Sequence, residues 1–394
     1  MRGIKSMLIN DKLQLNLKHL KHLKHLKHSK HSKHSKHLKH PKDQTAARND
    51  EITVAQLSGF DEVIDARSES EFADDHIPGA ISCPVLDDVE RIRVGTLYKQ
   101  SSFDAKKLGA VLVARNIARH LEQRFADRPR GWRPLVYCWR GGTRSGAFAT
   151  VLRSIGWKAG QLGGGYRAYR RAVLADLEIL PARFRFRVVC GLTGTGKSLL
   201  LRALAAAGAQ VLDLEALAEH RGSVLGNLPG APQPSQKMFD SRVWAALQGC
   251  DPARPVFVES ESRKIGLLRV PERLIERMRE STCLRVDAPL PARVAILRRE
   301  YAHFLTDPAL LGRQLDCLKG LYGGDTVAHW KKLADAHDWN TLVPLLLTAH
   351  YDPAYARSIG KNYPGHASAP AILITGADDG AVAAACRDAL KAVA

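Results

Sequence analysis

Phe186-Arg187-Val188-Val189-Cys190-Gly191-Leu192-Thr193-Gly194-Thr195-Gly196-Lys197-Ser198 passes from a short apolar run through glycines into the leucine-rich stretch 199–207. The run has the length and composition of a buried strand, and the stretch after the loop has helical spacing. Between them, G-x-x-x-x-G-K-[ST] is met at every fixed position. A strand before this loop and a helix after it are the context the chemistry needs: backbone N–H groups cradle phosphate, Lys197 neutralises it and Ser198 holds Mg²⁺. Gly191, Gly194, Gly196, Lys197 and Ser198 are the candidate diphosphate-binding residues. A second apolar strand ending in an acid completes such a site. Val256-Phe257-Val258-Glu259-Ser260-Glu261 offers Glu259 and Glu261, and Val211-Leu212-Asp213 offers Asp213. An acid at a strand end facing water fits each of them equally well. A loop that grips a diphosphate need not hold ATP.

Upstream, Pro134-Leu135-Val136-Tyr137-Cys138-Trp139-Arg140-Gly141-Gly142-Thr143-Arg144-Ser145 repeats the strand–loop–helix order, with a thiol where the strand ends and a helix expected from Arg144 to Ile155. Successive N–H groups in such a loop form an anion nest, and the following helix start adds partial positive charge. Both favour thiolate over thiol, as do Arg140 and Arg144 if they turn inward. Cys138 is thus the candidate nucleophile, with Arg140, Gly141, Gly142 and Arg144 as its oxyanion loop. The five residues between Cys138 and Arg144 are also the count in cysteine-dependent phosphatases, so the loop alone leaves that reading open. Cys190, inside a strand, reads as core.

Further out, Phe60–Arg67 reads as a strand, His76–Ile81 as a turn into another, 105–126 as helix, Ala292–Phe304 and Leu310–Tyr322 as helices, and Ala371–Thr375 as a last strand before a C-terminal helix. Strands alternating with helices imply open parallel sheets. Gly163-Gly164-Gly165 and Pro181 punctuate a boundary near residue 180. The expected division is 1–48, 49–180 and 181–394.

The 394 residues carry a net charge of +19. Residues 1–42 hold twelve Lys/Arg against Asp11, or +11, leaving +8 for the rest, so charge alone is a weak argument for nucleic acid. The triplet Lys-His-Leu or Lys-His-Ser from Lys18 to His40 cannot keep an apolar stripe on one helix face, and its like charges repel; it reads as a disordered tail. Seven cysteines with no C-x-x-C pair exclude a zinc ribbon or a dithiol redox site and suit a reducing compartment. The sequence has no cleavable leader pattern and no apolar run of eighteen residues, so a cytoplasmic protein without membrane contact is expected.

The cysteine loop, with Val63-Ile64-Asp65-Ala66-Arg67, Glu71-Phe72 and His76-Ile77-Pro78-Gly79-Ala80 before it, resembles the rhodanese superfamily over residues 50–170. Followed by a P-loop unit, it resembles the tRNA 2-selenouridine synthases. Val94–Gln100, Gly163–Ala168, Asp213-Leu214-Glu215, His220-Arg221-Gly222-Ser223, Glu259–Gly266 and Tyr351–Tyr355 are similar to that family as well. The resemblance spans residues 50–360 and implies a rhodanese-like open parallel sheet, then a P-loop NTPase-like α/β domain with a helical C-terminal region. It implies a tRNA-modifying transferase that geranylates the sulfur of wobble 2-thiouridine from geranyl diphosphate, then exchanges that sulfur for selenium from selenophosphate. Cys138 then handles selenium, Arg140 and Arg144 hold the selenophosphate oxyanion, and the P-loop holds the diphosphate with Mg²⁺. No tightly bound cofactor and no dedicated metal site are expected. tRNA is the expected partner, together with a selenophosphate-supplying enzyme; no oligomeric state is read from the sequence. Two other readings stand beside it: a sulfurtransferase with a regulatory nucleotide-binding P-loop, and a P-loop kinase or ATPase with an inert rhodanese module.

Overall fold

Alternation of side chains along each strand decides how the layers form, because successive residues face opposite sides of a sheet. The computed structural model describes residues 52–393, and the Lys/His repeat expected to be disordered lies outside them. In the first half, β1 (Glu62–Asp65), α1 (Glu69–Asp74), β2 (Ile81–Ser82), α2 (Asp88–Gln100), α3 (Ser102–His120), β3 (Pro134–Tyr137), α4 (Thr143–Ile155), β4 (Gly160–Gln161) and α5 (Gly165–Ile179) follow in order. The four strands form a parallel sheet, β2-β1-β3-β4. Val136 and Cys138 face a core with Ile64, Phe125 and Phe148, whereas Leu135 and Tyr137 face the opposite side.

The second half begins with β5 (Phe186–Cys190), α6 (Lys197–Ala206), β6 (Gln210–Leu212), α7 (Leu214–Ala218), α8 (Gln236–Gln248) and β7 (Val256–Glu259). The hairpin β8 (Lys264–Ile265) and β9 (Leu268–Arg269) comes next, then α9 (Glu272–Arg279) and β10 (Thr282–Asp287). Helices α10 (Leu290–Glu300), α11 (Ala302–Thr306), α12 (Pro308–Leu315), α13 (Lys319–Tyr322), α14 (Gly324–Asp335), α15 (Trp339–Leu346) and α16 (Asp352–Asn362) then form a helical region, before β11 (Ala371–Leu373) and α17 (Asp379–Lys391). The second sheet is also parallel, in the order β11-β10-β5-β7-β6. The α/β class and the helical C-terminal region agree with the sequence.

One apolar core reaches both sheets. It takes Leu135 and Tyr137 from β3, Phe186 and Val188 from β5, and Val256 and Val258 from β7. Helix α5 runs through it, burying Tyr166, Tyr169, Val173 and Leu177 at helical spacing. It packs on α8, where the Tyr169 and Trp244 rings meet edge-on at 5.7 Å. Trp244 Nε1 donates to Asp176 at 2.8 Å, and Arg170 pairs with Asp240. The glycines read as punctuation lead into α5: Gly164 and Gly165 have φ of +65° and +56°, the left-handed region that glycine enters without strain.

Two expected helices are broken. Ala292–Phe304 divides at Tyr301, whose ψ of 33° leaves the helical range. Leu310–Tyr322 is interrupted by a 3₁₀ turn at Asp316–Leu318, whose three-residue repeat buries both Leu315 and Leu318. Among the described residues no helix is long and apolar enough to cross a membrane.

Candidate active site

The phosphate loop leaves β5 and closes into α6 with Gly194 and Gly196 at φ of +80° and +91°. These glycines also make room: a Cβ on Gly194 would lie 2.9 Å from the Leu297 side chain, and one on Gly191 2.4 Å from the Val286 carbonyl. Thr195 Oγ1 donates to the Leu192 carbonyl at 2.9 Å, which tightens the turn. From α10, the buried Arg293 donates from Nε to the Thr193 carbonyl at 2.9 Å and grips Asp352 with two bonds of 3.0 and 2.5 Å. Arg293 thus braces the loop.

Lys197 is buried, with Nζ 3.2 Å from the Leu192 carbonyl, 3.4 Å from Glu259 and 5.5 Å from the centre of the Tyr355 ring. Ser198 Oγ donates to Glu215 at 3.3 Å and Glu259 at 3.2 Å. One oxygen from each of Glu215, Glu259 and Glu261 lies within 4.8 Å of the others. Burial, then the charges of Glu259 and Glu261, push the Glu215 carboxyl well up. Burial and Glu259 push Glu261 up to about 8. Carboxylates this close repel unless a proton or a cation joins them. The donors are all oxygen, which suits a hard divalent ion such as Mg²⁺. Asp213, the rival acid in the sequence, spends its carboxylate capping α7 through the Ala216 N–H at 2.9 Å and stands outside this cluster. Glu215 was not singled out as a ligand, although Asp213-Leu214-Glu215 was noticed as a block. The cluster opens to a pocket lined by Arg221, Ser223 and Tyr301 beside the loop. Arg221 pairs there with Glu300 at 2.7 Å.

The cysteine loop leaves β3 and enters α4 through Gly142, at φ +73°. Cys138 is 3% exposed, and the Ser145 hydroxyl donates to its Sγ at 3.2 Å. Gln161 Nε2 donates to the Gly142 carbonyl at 2.9 Å and to Ser145 Oγ at 3.1 Å, so β4 ties the loop from behind. The first turn of α5 holds the other side, with Tyr166 N–H on the Cys138 carbonyl at 2.8 Å and Arg167 N–H on the Trp139 carbonyl at 3.1 Å. Below lies a buried polar network. Arg67 bonds Asp65 and the Asp75 carbonyl and stacks 4.0 Å over the Tyr166 ring, whose hydroxyl donates to Asp75 at 2.7 Å. This gives the Val63–Arg67 pattern its physical meaning: it fixes Asp65 and Arg67 against Tyr166, whose N–H holds the Cys138 carbonyl.

The two arginines of the loop part company. Arg144 donates to Glu71 at 2.9 Å, with Arg91 3.8 Å from the same carboxylate. Burial pushes the Glu71 carboxyl up, but the bond and charge of Arg144, helped by Ser68 N–H and Arg91, outweigh it and hold the group below its ordinary value. Arg140 and Gly141 are exposed at the loop's crest. Glu71, Arg91, Tyr98, Trp139 and Arg144 border a cleft at this face. Trp330 and Trp339 are buried in the helical region's core.

Two family models match successive parts of the chain. Residues 43–172 match the rhodanese-like domain, and residues 184–317 match the tRNA 2-selenouridine synthase AAA domain. A tRNA 2-selenouridine synthase from Nitrosomonas europaea is 34% identical over 273 residues, covering 66% of this chain and 69% of its own. One from Marinobacter nauticus is 33% identical over 329 residues, covering 74% and 87%. Among solved structures, the N-terminal domain of an ATP/GTP binding protein from Clostridium difficile 630 is 36% identical over 32% of this chain and 98% of its own, with a TM-score of 0.29.

Proposed function

Because this chain belongs to the tRNA 2-selenouridine synthase family, we propose that it converts wobble 2-thiouridine of tRNA to 2-selenouridine through an S-geranylated intermediate. The observation that supports this most is that one continuous core carries both a complete phosphate loop and a complete cysteine loop.

In the first step the thiouridine sulfur attacks C1 of geranyl diphosphate. A C–S bond forms, the C–O bond breaks, diphosphate leaves with the electron pair, and the base loses its N3 proton. Gly191, Gly194 and Gly196 let the backbone cradle the diphosphate, and Lys197 neutralises the charge that grows on it. Ser198, Glu215, Glu259 and Glu261 would hold Mg²⁺, which supplies further positive charge to the same leaving group. In the second step selenium of selenophosphate adds at C2 and geranylthiolate leaves with the C–S electron pair. Water cleaves the P–Se bond, so the products are selenouridine, geranylthiol and phosphate. Cys138 is assigned the handling of selenium, with the Gly141–Gly142 backbone and Arg140 as oxyanion donors. Arg144 joins them only by leaving Glu71, so its first duty is to fix the loop.

Mass spectrometry of wobble nucleosides tests this. Cells without the gene should lack both geranylthio- and selenouridine, and cells with Cys138→Ala should accumulate the geranylated nucleoside without the selenated one. Normal selenouridine in the Cys138→Ala strain would refute the role of the thiol.

A further inference from the structure

A second pocket adjoins the phosphate pocket, and Thr193, Leu297 and Tyr301 line both. Its walls come from the helical region. Phe304, Leu311, Trp339, Leu342 and Leu346 are buried apolar residues there, with Val343 and Leu305 half-buried at the rim. Arg298 also borders it, but it is directed to Asn340 Oδ1 at 3.2 Å.

This lining discriminates between ligands. A nucleotide held at the phosphate loop must place a base and ribose nearby, and their polar edges need partners. The chamber offers hydrocarbon. An apolar lining left against water forgoes contact energy until something apolar covers it. A ligand with a diphosphate head and a branched hydrocarbon tail satisfies both pockets at once.

We propose that this chamber, built by α10, α11, α12 and α15 beside the phosphate loop, is the seat of the isoprenoid tail, and that Val343 and Leu305 help to set its capacity. The assignment rests on reading the phosphate loop as a prenyl diphosphate site. It gives the helical region a substrate-selecting task, separate from the chemistry at Lys197.

Calorimetric titration of the full chain with inorganic diphosphate, dimethylallyl diphosphate and geranyl diphosphate, in wild type, Val343→Trp and Leu305→Trp, tests the proposal. Wild type should bind geranyl diphosphate on the order of 100-fold more tightly than inorganic diphosphate, with the five-carbon donor between them, because each buried methylene adds affinity. Each tryptophan should remove about tenfold or more of the geranyl affinity while inorganic diphosphate still binds as in wild type, which also certifies the fold. If the geranyl advantage survives both substitutions, the tail sits elsewhere and the chamber assignment fails alone. If wild type shows no such advantage, the prenyl-donor reading fails and takes the chamber with it. Should a tryptophan variant unfold, Val343→Ala decides: a roomier wall must raise farnesyl diphosphate affinity relative to geranyl diphosphate, and an unchanged ratio refutes the proposal.

Discussion

A thiol proposed to handle selenium must be reached by its donor, yet Cys138 is 3% exposed beneath its own loop. The groups that fix that loop therefore matter as much as the sulfur, and Glu71 is one of them, because it holds Arg144 at 2.9 Å. Its carboxyl lies below the ordinary 4.5, so its contribution to stability is complete above 4.5 and fades as the pH falls through the lowered value. Glu71→Gln should therefore lose about 1–2 kcal/mol at pH 7 and progressively less as the pH falls below 4.5. Urea titrations across that range check it, and a pH-independent loss would contradict it. At this scale the sequence exposed what lies in contiguous runs. Cys138 and Gly191–Ser198 were legible because each motif carries its own loop chemistry. Glu71 and Glu215 were not legible as partners, since Glu71 is 73 residues from Arg144, and Glu215 meets Glu259 and Glu261 only once β6 has paired with β7.

Among the elements, α5 decides how the cysteine loop is held. A Cβ on Gly165 would stand 2.3 Å from the Cys138 carbonyl oxygen, at a φ of +56° that L side chains rarely adopt. Gly165→Ala should cost at least about 2 kcal/mol, since strain and a backbone clash coincide. The expected outcome is a lower Tm and impaired selenation, with inorganic diphosphate binding retained. Equal damage to both activities would show that the helix start serves general stability alone. Strands and crossover helices were readable from periodicity because the parallel sheets bury both faces. Helices α10 to α13 misled because apolar residues continue past Tyr301 and through Asp316–Leu318, where packing overrides local preference.

For the whole molecule, the shared core sets the unit of folding. Tyr169, Val173 and Leu177 on α5 are buried in the core that also holds β5 and β7. At about 1.5–3 kcal/mol per fully buried side chain, exposing three of them consumes much of the ~5–15 kcal/mol that keeps a domain folded. Residues 50–180 produced alone should thus aggregate or lack a cooperative melt, while the full chain unfolds in one transition by near- and far-ultraviolet circular dichroism. Two well-separated transitions in the full chain would sink this. The expectation of two domains with a boundary near 180 had no means of seeing this, because which face of α5 is covered, and by what, is a property of α8 and its Trp244.

That buried helix also limits what recombination can do with this chain. A thiol module borrowed from another protein would arrive without the matching stripe of Tyr169, Val173 and Leu177 and without Asp176 to receive Trp244. It would leave a greasy scar on α8 instead of a joint. Exchange between relatives should succeed only where the cut spares α5 and α8 as an inherited pair.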